Sequence, residues 1–214
     1  MEAVTDGTKR PGETTGLPHP LPVAVLLYPG CVFQEIALAV EVLAPHRPLR
    51  YLTPDGAVHR ASNGARLQAD GDYGWLDTGA VTAVLVPGGD PGSIVPSGRA
   101  RAGLQAAAAR GAWLAGICGG NLVLAAAGVM DGCRGTHNYT AEHASPEAVA
   151  LTAPYWAGLR FERANLVVDA EHRRITAQPW ADRDLAAALA QALGVLDPAA
   201  AEDLRTYPQR RRYP

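Results

Sequence analysis

The sequence feature with the clearest chemistry is a cysteine flanked by glycines. Cys118 lies in the string Gly116-Ile117-Cys118-Gly119-Gly120, between an apolar stretch typical of a buried strand and a run of small residues that favours a helix. This pattern predicts a strand-to-helix nucleophile elbow, in which glycines permit a turn that a Cβ would obstruct. The amino end of the following helix favours thiolate. We expect a reactive thiol; the alternative is a buried apolar cysteine.

A second glycine-containing loop is suited to bind the charge that such a nucleophile generates. The string Pro87-Gly88-Gly89-Asp90 follows another predicted strand, so its backbone N–H groups can approach a ligand closely. Together with the N–H of Gly119 they are candidates to stabilise an oxyanion. The alternative is an ordinary turn at the end of a strand.

A third loop places an acid and a further cysteine after the first predicted strand. Tyr28-Pro29-Gly30 is followed by Cys31 and then by Glu35, which opens a predicted helix. A carboxylate there either interacts with the helix dipole in solvent or reaches the thiol and moves protons. We expect Cys31 to line the same crevice, to pair with the catalytic cysteine in a redox reaction, or to have no role.

His137 follows the predicted elbow helix and is a candidate general base or orienting donor, although a lone surface histidine is the common alternative. Tyr139 is a candidate pocket residue beside it. Three other histidines, His46, His59 and His172, are expected to stand apart from any cysteine or acidic cluster. The sequence therefore predicts no metal site.

The elements that must position these residues alternate along the chain between short apolar stretches and helical patterns. Such alternation indicates a parallel sheet wrapped by helices, with ligands bound beyond the carboxyl ends of the strands. Strands are predicted at 23–28, 49–53, 81–86, 112–117, 166–168 and 174–177, with an extended stretch at 58–67. Helices are predicted at 35–44, 99–110, 121–127 and 182–193.

Composition bounds the remaining possibilities. The 214 residues are 48% hydrophobic and 19% charged, which is enough apolar sequence for one folded domain. We predict an α/β domain over 22–196, preceded by a disordered tail over 1–21 and followed by a basic tail over 197–214. Lys9 is the only lysine, which argues against Schiff-base or P-loop chemistry. A net charge of -2 argues against a nucleic-acid partner, and no apolar stretch is long enough to predict a membrane span. Three cysteines favour a reducing, cytoplasmic location.

These motifs, in this order, resemble the ThiJ/PfpI superfamily over about residues 23–193. The resemblance implies the class I glutamine-amidotransferase-like fold, a flavodoxin-like three-layer sandwich with a mostly parallel sheet. It implies that Cys118 is the nucleophile, that Glu35 lies beside the sulfur and that His137 lies near the thiol. It also implies a homodimer that acts on a small molecule without a cofactor.

Within the superfamily, the pattern of the late strands most resembles the isonitrile hydratase branch, although Glu35 and Gly119 replace the Asp and Thr typical there. The implied function is addition of Cys118 to an electrophilic carbon with Glu35 as proton shuttle, in an isonitrile hydratase-like or related lyase or hydrolase reaction. A larger substrate, such as a biosynthetic intermediate, would bring Trp156 and Trp180 into the pocket; the alternative is that both make core or dimer contacts. The alternatives are glyoxalase- or deglycase-like action on aldehydes, a redox-sensing thiol, and a ligand-binding module without catalysis.

Overall fold

The structure is a computed structural model that describes residues 20–210, apart from the side chains of Thr78 and of residues 208–210. The predicted tail over 1–21 therefore lies almost wholly outside the described residues. None of the helices within the described range is both long and apolar enough to cross a bilayer.

Short strands and helices alternate along the described chain. The strands are β1 (Val23–Leu26), β2 (Leu49–Thr53), β3 (His59–Arg60), β4 (Arg66–Leu67), β5 (Gly71–Asp72), β6 (Ala83–Val86), β7 (Trp113–Ile117), β8 (Arg134–Gly135), β9 (Arg160–Phe161), β10 (Leu166–Asp169) and β11 (Arg174–Ala177). The helices are α1 (Gln34–Leu43), α2 (Trp75–Thr78), α3 (Arg101–Ala109), α4 (Gly119–Ala126), α5 (Pro146–Thr152), α6 (Asp182–Ala192) and α7 (Pro198–Arg210). Two 3-10 turns, Pro91–Ser93 and Ala153–Trp156, complete the set.

Seven strands form the central sheet, in the order β10-β11-β7-β6-β1-β2-β5. Every neighbouring pair is parallel except β10 and β11, which form an antiparallel pair at one edge. All residues of β1, β6 and β11 are buried, as expected of strands covered on both faces. The predicted three-layer, mostly parallel α/β fold is therefore confirmed.

The topology determines which elements meet at the carboxyl edge of the sheet. Because β1, β6 and β7 are adjacent and parallel, the loops that follow them emerge side by side. Helix α1 packs against α6. Helix α3 is linked to the end of α4, because Gln105 on α3 donates to the carbonyl of Ala127 just after α4. The three glycine-containing loops therefore converge.

The carboxyl-terminal segment differs from its prediction as a tail. Most of it is α7, which packs on α6, and residues 211–214 lie outside the described range. Ala201 is fully buried, and the Arg183 guanidinium donates to the carbonyl of Leu204 at 3.2 Å. An alanine-rich face lets α7 approach α6 closely, a packing contact that the basic residues of the segment obscure at the sequence level.

Candidate active site

Cys118 occupies the sharp turn between β7 and α4. Its backbone has φ 54° and ψ −126°, a region that residues with a Cβ rarely adopt, and its N–H donates to the carbonyl of Ala177 at 3.1 Å. Gly120 makes the turn feasible, because a Cβ there would lie 2.6 Å from the carbonyl oxygen of Pro87. The predicted elbow is therefore present, and its strained cysteine is half-buried rather than fully exposed.

Glu35, in the first turn of α1, reaches the sulfur across the sheet edge. Its side chain is only 9% exposed, and Oε2 accepts a hydrogen bond from the N–H of Gly88 at 2.9 Å. A Cβ at Gly88 would lie 2.8 Å from the Cys118 Sγ and would overlap the Glu35 carboxylate. The thiol and the carboxylate therefore meet over the bare Cα of Gly88, and the thiol donates to the carboxylate.

The electrostatics of this pair differ from the expectation of an ionised thiol. Burial and the charge of Glu35 raise the pKa of Cys118 to about 11, against the lowering effect of nearby backbone N–H groups. Burial also raises the pKa of Glu35, although the Cys118 thiol and the Gly88 N–H donate to its carboxylate. The doubly ionised pair is disfavoured, so carboxylate and sulfur together hold one proton at neutral pH. The helix terminus that was expected to lower the thiol pKa is outweighed.

The predicted oxyanion donors are divided between two tasks. Gly89 and Gly119 direct their N–H groups at the Cys118 sulfur, where a developing negative charge would lie. The N–H of Gly88, predicted to join them, is instead used by the Glu35 carboxylate. Gly88 therefore positions the acid, and only the other two amides face the nucleophile.

Cys31 does not line an open pocket. It is fully buried, pairs with Gly89 in an isolated antiparallel bridge, and is not in a disulfide. Burial raises the pKa of its thiol. The loop that was predicted to face a crevice folds its cysteine inward, because the peptide groups on either side bond to neighbouring loops. Ser62 donates its N–H to the Cys31 carbonyl, for example.

Tyr139 lies close enough to Cys118 and to Asp90 for the charges of both to act on its phenol. Asp90 is exposed at the start of the 3-10 turn Pro91–Ser93. Burial, followed by the charges of Cys118 and Asp90, raises the pKa of Tyr139 to about 12. The phenol therefore stays protonated and remains a hydrogen-bond donor at neutral pH.

His137 belongs to an aromatic cluster at the same edge of the sheet. Its ring stacks on Trp156, with centroids 4.0 Å apart, and is tilted against Phe161 at 4.7 Å. The ring Nδ1 accepts from the N–H of Tyr139, so the proton lies on Nε2, and burial lowers the pKa of His137 to about 4. Of the hydrogen bonds found within residues 20–210, none joins this imidazole to Cys118.

Gln178 is a residue of this site that sequence reasoning missed. Its amide Nε2 donates to Thr136 Oγ1 at 2.9 Å and to the carbonyl of His137 at 3.0 Å. It thereby fixes the segment that carries the histidine. The only signal in the sequence is its place directly after the buried strand β11, which is the edge where ligands bind.

The expected isolation of His172 is wrong. Its ring Nδ1 lies 2.9 Å from Asp169 Oδ2, and both residues are close to Cys133. The sequence shows the Asp169-x-x-His172 spacing, but Cys133 lies far upstream and only the fold brings it there. The basis for predicting no metal site therefore fails.

Comparison with known proteins decides the family. The model of the DJ-1/PfpI family matches residues 23–191. The chain belongs to the DJ-1/PfpI family. Members of this family are cysteine-dependent enzymes or chaperones. The predicted ThiJ/PfpI resemblance is confirmed, whereas nothing in the comparisons singles out the isonitrile hydratase branch.

Solved structures of DJ-1/PfpI proteins share the fold. A DJ-1 superfamily protein from Agrobacterium tumefaciens matches with a TM-score of 0.72 and 21% identity, over 90% of this chain and 100% of that one. Drosophila melanogaster DJ-1β matches with a TM-score of 0.71 and 18% identity, over 91% of this chain and 100% of that one. A ThiJ/PfpI family protein from Pseudomonas syringae matches with a TM-score of 0.70 and 18% identity, over 97% of this chain and 84% of that one. A search of curated protein sequences found no match.

Proposed function

We propose that this DJ-1/PfpI protein is a cofactor-independent enzyme in which Cys118 adds to an electrophilic carbon of a small molecule. The observation that carries the proposal is the pairing of a strained thiol with the buried carboxylate of Glu35 over Gly88. A pair that shares one proton can release it as the S–C bond forms and return it to the product.

The proposed step begins when the sulfur of Cys118 forms a bond to the electrophilic carbon. The electron pair released from the substrate's multiple bond takes up the shared proton through Glu35, on the terminal carbon of an isonitrile or on the oxygen of a carbonyl compound. Water then attacks the same carbon of the adduct, Glu35 moves one proton of the water to the substrate's nitrogen, and the other proton restores the thiol as the S–C bond breaks. With an isonitrile, the sulfur bonds to the terminal carbon, that carbon gains the proton to give a thioimidate, and water releases an N-substituted formamide.

Carbonyl compounds are the second candidate substrates, and a specific observation favours them. The N–H groups of Gly89 and Gly119 face the sulfur. An aldehyde carbon bound to Cys118 would place its oxygen near these donors, and protonation by Glu35 would give a neutral thiohemiacetal. The phenol of Tyr139, held protonated, is a further donor close to Cys118.

A turnover experiment tests the proposal. A panel of isonitriles, aldehydes and activated acyl compounds is offered to the wild-type chain and to Glu35→Gln. Loss of the carboxyl proton shuttle should slow turnover about 100- to 10,000-fold. Glu41→Gln, an exposed residue on the same helix α1, is the matched control and should keep wild-type rates.

Three results would contradict the proposal. Wild-type rates in Glu35→Gln would remove the carboxylate from the mechanism. Stoichiometric oxidation of Cys118 without turnover on any member of the panel would favour a redox sensor. Tight binding of a panel member without conversion would favour a ligand-binding module. The homodimer and the cytoplasmic location stay predictions.

A further inference from the structure

A cysteine, an aspartate and a histidine lie close together at the amino-terminal ends of the parallel strands, the opposite end of the sheet from the elbow. Asp169 ends β10, His172 lies in the turn to β11, and Cys133 directly precedes β8. Their ligand atoms (the Cys133 Sγ, a carboxylate oxygen and a ring nitrogen) all lie within 4.8 Å of one another. Asp169 pairs with Arg174 at the start of β11, so this cluster lies at the amino ends of the parallel strands, away from Cys118.

The carboxylate of this cluster is held in a fixed orientation. Oδ2 of Asp169 accepts the N–H of Arg134 at 2.7 Å and faces the His172 Nδ1 at 2.9 Å. Oδ1 accepts the N–H of His172 at 3.3 Å. Carboxylates that ligate metals are typically oriented by such outer hydrogen bonds. The side chain of His172 is 34% exposed, which leaves a path from solvent to a cluster whose other members are buried.

Among the described residues, the sulfur of Cys133 accepts no hydrogen bond, so its electron pairs are available to a ligand. The side chain is 2% exposed, and Sγ makes only long contacts, as a donor, to the carbonyls of Val129 and Asp131, both at 3.7 Å. Of the hydrogen bonds found between residues 20 and 210, none is donated to this sulfur. A buried sulfur with unshared electron pairs that faces an imidazole and a carboxylate is arranged as a ligand.

The charges around the cluster allow a divalent cation. Arg174, buried beside Cys133 and Asp169, directs its guanidinium to the carbonyls of Val129 and His172 at 2.8 and 2.7 Å. It makes no ion pair within the part of the chain that the structure describes. A Cys133 thiolate, Asp169 and the nearby Asp131 would supply three negative charges against the two positive charges of Arg174 and Arg160 that act on this sulfur. One sulfur, one imidazole and one carboxylate suit zinc and similar ions, whereas magnesium and calcium prefer oxygen ligands alone.

We propose that Cys133, Asp169 and His172 bind a divalent cation of the zinc class, with a fourth position open to water. Binding replaces the thiol proton of Cys133, which leaves to solvent as the metal–sulfur bond forms, and the imidazole proton shifts to Nε2 so that Nδ1 can ligate. The ion ties the segment before β8 to the β10–β11 turn and stabilises the fold. The site is independent of the proposed activity at Cys118.

Cobalt(II) titration of the full chain tests the proposal. The Cys118→Ser background removes the other partly accessible thiol, so a thiolate-to-cobalt charge-transfer band reports on Cys133. We expect the band to saturate at one cobalt per chain and to be displaced by zinc. Cys133→Ser should abolish it, and His172→Gln should weaken binding at least about 100-fold. His59→Gln is the matched control, because His59 also faces an aspartate, Asp55, at 2.8 Å but has no cysteine beside it.

Thermal unfolding gives a second readout. Zinc should raise the midpoint of the Cys118→Ser protein and of His59→Gln, but not that of His172→Gln. If Cys133→Ser fails to fold, His172→Gln still decides the question because its side chain is partly exposed. No charge-transfer band at one equivalent, or a band of unchanged affinity in His172→Gln, would overturn the site.

Discussion

Two cysteines of this chain each lie beside a carboxylate, at opposite ends of the strands of one sheet, and the pKa values of the two carboxylates are shifted in opposite directions. Glu35, beside Cys118, accepts one backbone N–H and the thiol, and burial raises its pKa. Burial also acts to raise the pKa of Asp169, beside Cys133. There, N–H groups of Arg134 and His172 and the imidazole outweigh burial and hold that pKa below its ordinary value.

The opposite pKa shifts of the two carboxylates indicate different roles for the two ends of the sheet. A buried carboxylate with few donors has a raised pKa, so it can accept and return a proton during a reaction, and its burial costs stability. A carboxylate surrounded by donors is a fixed anion that suits structure or metal ligation. The thiol at the carboxyl edge also sits on strained backbone with φ 54°, a further cost that a purely structural cysteine would not incur.

The largest expected effect separates the two cysteines. Cys118→Ser should lower kcat/KM by at least about 1,000-fold, because a hydroxyl in this site is a much weaker nucleophile. The same variant should still bind cobalt(II) at the opposite edge. Steady-state kinetics and the cobalt titration check both halves. Turnover near the wild-type level in Cys118→Ser would show that the chemistry lies elsewhere.

Gly88→Ala tests the meeting point of thiol and carboxylate. The added Cβ would press on the Cys118 sulfur and the Glu35 carboxylate, so we expect a loss of about 1–3 kcal/mol in the free energy of unfolding together with reduced turnover. Gly71→Ala is the matched control, because a Cβ there makes only an ordinary contact of 3.8 Å with Leu52. Equal stability of the two variants in urea would contradict this geometry.

The opposite pKa shifts predict opposite responses of stability to pH. The folded pKa of Asp169 is lowered, so its stabilisation is present above its ordinary value of 3.8 and is lost as pH falls further. Asp169→Asn should therefore cost about 1–2 kcal/mol at pH 7 and progressively less in acid.

Glu35 should show the reverse sign. Its folded pKa is raised, so the ionised carboxylate costs stability as pH rises above the ordinary value of 4.5. Glu35→Gln should stabilise the chain at neutral pH, and the gain should vanish below that value. Urea unfolding of both variants between pH 3 and 8 tests the pair. Curves that shift in the same direction would remove the contrast between the two edges.

Much of the fold and of the elbow could be predicted from sequence because the determinants are local. The apolar stretches fix the strands, and the glycines around Cys118 fix the turn. The residues alone left Glu35 open between a helix-dipole role and contact with the thiol, and its place beside the sulfur was implied by the family resemblance. The helix at the carboxyl terminus escaped prediction because its basic residues resemble a solvated tail, although its alanine face packs on α6.

What escaped prediction at the sites depends on burial and on long-range contacts. The thiol pKa follows from desolvation and from the charge of Glu35, which no local pattern reveals. The stacking of His137 on Trp156 needs two segments to meet above the sheet. The approach of Cys133 to Asp169 depends on how β8 crosses the β10–β11 pair.

The most direct test of the central claim, that Glu35 and Cys118 share one proton at neutral pH, is the alkylation rate of Cys118 against pH. Mass spectrometry resolves the modified residue in the wild-type chain and in Glu35→Gln. The account predicts two ionisations in the wild type, the upper one at a pKa of about 11, and a single ionisation at lower pH in the variant. One ionisation at the same pH in both proteins would contradict it.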